Sequence, residues 1–418
     1  MRTLAMLALA VTAAAAQDLP PGVLQLSRIK RHIRQEVEHL PDYSCLETVQ
    51  RSGQKPGTRD TPQRLQTVRV EVLFTGDREL YSPMGEAAFT EHPISEYSSE
   101  GVIGDGIFGT DVHNLFVADA ASFVYRGEEQ VRGILAEKYD FRIPALISRF
   151  HVAAFGSTGN VGMQGTFWAD PKAYELLRIE SHAAEIPPTL AVSDLTTVVD
   201  FARMRIGESD VTLAQTALVN LLGTSGEEAD ARFDFTHCRA FRAESTVSFG
   251  TRPDETVGAA LRPGFPLAGP VRETLPAGIV IPVTLTTPLT AANSVGDLIE
   301  ARVAASVIRK GKPEVPEGTV LRGRLRRLER EPGAGRFNVE LEFTEIEMPA
   351  GPARFFADLQ EPVPVENDQR WIRDVPGVAS ISVRGSDFQL PRGFRLVWRT
   401  RGFEEADKGR GAQERPRR

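Results

Sequence analysis

Gly165-Thr166-Phe167-Trp168-Ala169-Asp170-Pro171-Lys172, running on into residues 174–180, is the stretch that decides the fold. Large β-forming side chains stand on both sides of a tight turn. Pro171 presets φ there, and the Asp170 carboxylate is placed to accept hydrogen bonds from the following backbone N–H groups. Two strands around so short a turn mean antiparallel pairing. The same period of two recurs upstream: Val68, Val70, Val72 and Phe74 alternate with Arg69, Glu71 and Leu73, and Tyr139, Phe141 and Ile143 alternate with Lys138, Asp140 and Arg142. Alternation assigns one face of each strand to a core. Further strands are predicted over 198–206, 233–238 and 244–249.

One helix precedes these strands. Over residues 23–40, Leu26, Ile29, Ile33, Val37 and Leu40 recur at three- and four-residue steps, while Lys30, Arg31, Arg34, Glu36 and Glu38 fill the other face. Pro41 stops the helix, and its apolar stripe is expected to pack on the sheet of its own domain. Between 89 and 123 the pattern lapses into glycine, serine and charge, with a short helical piece near 112–121. That stretch reads as a long loop or lid over one end of the sheet.

The interval 250–276 is rich in proline and poor in apolar periodicity, which marks a domain boundary. Beyond it, short strands are predicted over 279–285, 298–308, 319–328, 337–346, 354–359, 378–383 and 394–398, a rhythm that argues for a small barrel or sandwich. Glu331-Pro332-Gly333-Ala334-Gly335 is a turn signal between two of these runs. Centred on Gly333, the hairpin places Leu325 opposite Leu341 on the buried face, with Arg326 opposite Glu340 and Arg324 opposite Glu342 on the solvent face. The fold expected is therefore mostly β (α+β): a curved antiparallel sheet with a packed helix, then a small β-barrel or sandwich.

The first residues point to export. Arg2 supplies a positive start, residues 4–11 are apolar, and Ala14-Ala15-Ala16 offers a cleavage site before Gln17. That is a secretory leader, too short to span a bilayer and with no cysteine at the cleavage site for a lipid anchor. In an oxidising compartment an even cysteine count implies pairing, so Cys45 and Cys238 are expected to form a disulfide. The divisions expected are a signal peptide at 1–16, a first domain at 17–250, a linker at 251–274, a second domain at 275–403 and a disordered tail at 404–418. A net charge of −7 argues against a nucleic-acid binder.

Motifs for catalysis are absent. Gly104-Asp105-Gly106-Ile107-Phe108-Gly109 matches the spacing of a dinucleotide fingerprint, but no buried strand leads into it. No two of the seven histidines have the spacing of helical or strand metal ligands. His237 and Cys238, adjacent on a strand, point to opposite faces and cannot act as a nucleophile pair. Neither a G-x-S-x-G elbow nor a phosphate-binding loop occurs. No cofactor or metal is therefore expected. Arg322, Arg324 and Arg326 share one strand face and could meet an anionic polymer, although pairing with acidic neighbours such as Glu340 and Glu342 is the preferred reading.

These residues carry two resemblances. The opening helix, the Gly133-x-x-Ala136-x-Lys138-Tyr139-x-Phe141 strand and the Phe167-Trp168-Ala169-Asp170-Pro171 turn make residues 20–250 resemble the LolA/LolB/RseB-type periplasmic half-barrel. Tyr43-Ser44-Cys45-Leu46-Glu47-Thr48 with Cys238-Arg239 also resembles a paired-cysteine signature of exported bacterial proteins. The half-barrel resemblance implies a cavity for acyl chains or a lipoprotein segment, and no catalytic residues. Pro276-Ala277-Gly278-Ile279-Val280-Ile281-Pro282, Thr287-Pro288-Leu289 with Gly296-Asp297, and the run 315–323 make 275–346 similar to the β-barrel of TrbI-type conjugal-transfer proteins, implying an envelope assembly module.

The sequence thus leads to a periplasmic or secreted, non-enzymatic envelope protein without a transmembrane span. It is expected to hold an apolar ligand or partner peptide on the concave face of its first domain, with Val70, Val72, Phe141 and Trp168 as candidate contacts. The alternative is a structural component docking to an envelope protein through its second domain. A hydrolase with a dispersed site is the third reading.

Overall fold

A computed structural model describes residues 20–54, 62–76, 78–84, 89, 109–241, 275–309, 312–331, 334–362, 370–371, 376–385 and 387–401. The leader, most of the fingerprint-like glycine stretch, the strand expected at 244–249, the linker, Pro332-Gly333 and the tail lie outside them.

Helix α1 (Pro21–His39) opens the chain, with Pro21 at a position where a missing N–H costs nothing. Strands β1 (Tyr43–Gln54), β2 (Gln63–Thr75) and β3 (Arg78–Pro83) follow. Then come α2 (Thr110–Phe116), β4 (Ser122–Val131), β5 (Ile134–Ile143) and a small hairpin of β6 (His151–Ala154) and β7 (Ser157–Asn160). Strands β8 (Gly162–Ala169), β9 (Leu176–Ala184), β10 (Val192–Ile206), β11 (Ser209–Gly223) and β12 (Glu228–Ala240) complete the first unit. Ten strands make one curved antiparallel sheet in the order β3-β2-β1-β12-β11-β10-β9-β8-β5-β4. The β8–β9 turn forms as its residues dictate, for the Asp170 carboxylate accepts hydrogen bonds from the N–H groups of Lys172 and Ala173 at 2.7 and 3.0 Å.

The apolar stripe of α1 lies on this sheet. Ile29 and Ile33 are fully buried among Tyr43, Val70, Val72, Phe141 and Phe167, and the Tyr139 hydroxyl donates to the Gly22 carbonyl at 2.9 Å. Helix α2 adds Leu115 and Phe116, with the Phe116 ring edge-on to Phe167 at 5.1 Å. Cys45 of β1 is bonded to Cys238 of β12, and the register between these neighbouring strands shifts there because His237, at φ 53°, forms a bulge.

The second unit contains β13 (Val280–Leu285), β14 (Leu289–Thr290), β15 (Leu298–Val303), β16 (Val307–Arg309), β17 (Lys312–Val315), β18 (Val320–Glu331) and β19 (Arg336–Met348). It ends with β20 (Gly351–Arg354), β21 (Ala357–Pro362), β22 (Arg370–Trp371), β23 (Val378–Arg384), β24 (Gln389–Leu390) and β25 (Arg395–Thr400). Its main sheet runs β21-β25-β13-β15-β18-β19-β23-β22, with β20 on β19. A separate apolar cluster centred on Trp398, Phe343, Leu321 and Leu341 fills it.

The β18–β19 hairpin pairs Leu325 with Leu341 and Arg324 with Glu342, as its sequence predicts. It departs at Arg326, which is bulged out, so Arg327 and not Arg326 stands opposite Glu340. Arg324 is also not on a solvent face. It is buried, and its guanidinium donates to the Gly296 carbonyl at 2.9 Å.

That carbonyl belongs to the joint between the two units. Val295 forms a parallel bridge with Val68 through Arg69 N–H to Val295 O at 2.9 Å and Val295 N–H to Thr67 O at 2.8 Å, and its side chain enters the first unit's core. Gly296 is required beside it: φ is 94°, and a Cβ would stand 2.4 Å from the Arg69 carbonyl oxygen. Arg51 of β1 meets Glu329 of β18 at 3.3 Å with both side chains almost wholly buried, while Gln66 accepts from Arg51 at 2.9 Å.

Truncating one member of a buried pair weakens the compensation of the other charge, although Glu329 keeps Arg327 at 3.6 Å. Arg51→Ala should therefore lower unfolding free energy by about 3 kcal/mol, the low end for a broken buried pair, whereas Arg51→Met combined with Glu329→Leu should cost far less. Urea denaturation of the three proteins checks this.

Candidate functional site

The concave face is not left open. Among the described residues, α1, α2 and the sheet enclose a cavity of about 40 Å³. Its walls are apolar: Ile33, Val37 and Leu40 from the helix end, Tyr43 and Phe74 from β1 and β2, and Phe201, Val211 and Leu213 from β10 and β11. Val37 and Leu40 are only half-buried, so the C-terminal half of α1 is the weakest part of the cover. Glu36 and Thr212 are the polar intrusions.

Val70, Val72 and Phe141 lie on this same face but are fully packed and do not line the cavity. Trp168 is on the opposite face. Its neighbour Phe167 points into the core, so period two sends Trp168 outward onto Val131, Ala136 and Leu177, with the Lys138 ammonium 5.4 Å from its ring. Trp168 is therefore not a concave-face contact. The arginine face is also broken up. Arg322 pairs with Glu345 and Glu347 at 3.7 and 3.0 Å, Arg326 with Glu342 at 2.5 Å, and Arg324 is buried in the joint. No open basic surface for a polyanion remains on those three residues.

A polar cluster borders the cavity. His32 and Glu36 are one turn apart on α1, with Nε2 3.6 Å from the Glu36 carboxylate. Glu175, next to the start of β9, brings a second carboxylate, and Arg203 of β10 pairs with it. The helix is held over this region by Gln25, whose amide donates to the Pro171 carbonyl at 2.6 Å. Burial raises the Glu36 pKa above the usual carboxylate value, and the opposing pull of His32 and Arg203 is smaller.

The sequence pattern put Glu36 on a solvated helix face, together with Lys30 and Arg34. In the fold that face is partly covered: Lys30 pairs with Asp119 at 2.8 Å, and Arg34 donates to the Phe116 carbonyl at 3.4 Å. The spacing of His32 and Glu36 was a usable signal, since residues four apart share a helix face. Glu175 and Arg203 carried no such signal, because they reach the cluster only through the sheet.

A raised pKa means that the folded state holds its proton at a pH where the unfolded chain has released it. Glu36 therefore makes stability fall as pH rises from about 4.5 through the folded-state pKa. Glu36→Gln should flatten that decline and be the more stable protein at pH 7–8, as thermal melts across pH 4–8 would record.

No family model and no curated protein matches the chain. Several solved structures show distant likeness to part of it. One is a DUF1329 family protein from Desulfovibrio piger, at 12% identity and TM-score 0.32, covering 54% of this chain and 96% of that one. A second is a putative outer membrane lipoprotein-sorting protein domain from Vibrio parahaemolyticus, at 12% identity and TM-score 0.30 over 51% of this chain and 90% of that one. A third is a LolA superfamily protein from Nitrosomonas europaea, at 9% identity and TM-score 0.28 over 52% and 93% of the two chains. No TrbI-type barrel was found.

Proposed function

We propose that this chain is an exported, non-enzymatic envelope protein of the periplasm. Its first sheet holds an apolar ligand, an acyl chain or an apolar lipoprotein segment, between α1 and the concave face. The cavity under the half-buried end of α1 carries this reading, for its walls are almost wholly aliphatic and aromatic. At about 40 Å³ it is smaller than an acyl chain needs, so binding requires the end of α1 to lift. Lifting it would extend the apolar floor toward Val70, Val72 and Phe141, which lie on the same face. The Cys45–Cys238 bond suits an oxidising compartment. The two separate apolar clusters support two domains, at 17–250 and 275–403, joined by a linker.

Expression into the periplasm, followed by mass spectrometry of the purified protein, tests the reading through copurifying lipid. In vitro, Val37→Trp places a reporter at the lifting end of α1. Its emission should shift on addition of dodecanoate, while the same probe in Val37→Trp, Ala214→Phe should respond at least tenfold more weakly. No copurifying lipid and no shift would overturn the proposal.

A further inference from the structure

The polar cluster beside the cavity has the donor set of a metal site. His32 Nε2, a Glu36 carboxylate oxygen and a Glu175 carboxylate oxygen all lie within 4.8 Å of one another. All three side chains are partly buried, so these are not solvated surface acids. Zinc–ligand bonds of about 2.0–2.2 Å place tetrahedral ligands about 3.3–3.6 Å apart, and the His32–Glu36 separation of 3.6 Å already falls in that range. A second observation is independent of the spacing. His32 Nε2 is sealed from solvent and makes no hydrogen bond, although it is aimed at the Glu36 carboxylate. A buried ring nitrogen without a partner is costly unless something fills the gap.

We propose that His32, Glu36 and Glu175 bind one divalent transition-metal ion, with zinc the natural occupant and water completing its coordination. One imidazole and two carboxylates suit zinc better than calcium or magnesium, which take more ligands, all of them oxygen. Two ligands come from α1 and the third from the residue before β9, so the ion staples the helix to the sheet. Arg203, more than half exposed, now supplies the positive charge at Glu175. It competes with the ion and swings into solvent when the ion binds. The site stands whether or not an apolar ligand enters the cavity.

Isothermal titration of the tag-free full mature chain with Zn²⁺ alone tests this, alongside Co²⁺ absorption in the visible as a report of coordination. One equivalent should bind, and saturating Zn²⁺ should raise the melting temperature. His32→Gln and Glu175→Gln should each weaken binding at least tenfold and lose the thermal shift. Melts without metal show whether each variant is folded, and His32→Gln, at a position one-third exposed to solvent, carries the test if Glu175→Gln is not. Arg203→Gln should bind more tightly. Absence of binding, or wild-type affinity in His32→Gln, would overturn the proposal. Unchanged or weaker affinity in Arg203→Gln would do so too, because Glu175 would then be shown not to exchange its arginine for a metal.

Discussion

The first unit depends on one packing event, the burial of the apolar stripe of α1 against the concave face of a curved ten-stranded sheet. An antiparallel sheet with one apolar face can leave its other face to water, but the apolar face must be covered. Ile29 and Ile33 meet that need at the centre of the helix. Burial of such side chains is worth about 1.5–3 kcal/mol each. The contact weakens along the helix: by Val37 and Leu40 the side chains are half-exposed, and the gap beneath them is the cavity. The cover is therefore tight where the core needs it and loose where a ligand would enter.

The two sheets are joined by a different physics. Val295 contributes an apolar plug and two backbone hydrogen bonds, while Arg51 and Glu329 form an ion pair away from water. Desolvation consumes most of what such a pair gains, so its presence speaks for orientation more than for strength. The bridge fixes position along β2, and the ion pair fixes which residues of β18 face β1. Gly296 permits the bridge, since any side chain there would strike the Arg69 carbonyl.

Much of the fold was legible because burial imposes a period on the chain. Val70, Val72, Phe141, Ile29 and Ile33 follow strict spacings and occupy the core that those spacings assign. One failure occurs where a local irregularity breaks the period. Arg326 is bulged, which returns Arg327 to the position that counting gives to Arg326. Strand β11 went unread although Val211, Leu213, Ala217, Val219 and Leu221 keep period two, because Leu218 and Leu222, apolar but exposed, fall between them and blur the alternation. Trp168 shows another limit: in a strand apolar on both sides, alternation separates Phe167 from Trp168 without saying which faces the helix. The candidate site was harder still. Half of it lies on one helix turn, but Glu175 and Arg203 become its neighbours only after β9 and β10 have paired, which no local pattern encodes.

The cavity and the polar cluster share one structural element. Glu36 lines the cavity and also belongs to the cluster, and both rest on the C-terminal half of α1 lying on the sheet. An ion shared by His32, Glu36 and Glu175 would favour the lowered helix, whereas an apolar chain too large for the present gap favours the lifted one. Two ligands that stabilise opposite positions of one element oppose each other, and by linkage each lowers the other's affinity by the same factor. The bound metal would then act as a latch on the cover. Helix position is the quantity for which both ligands would compete, and His32 and Glu36, on the helix itself, are the residues that would transmit that competition.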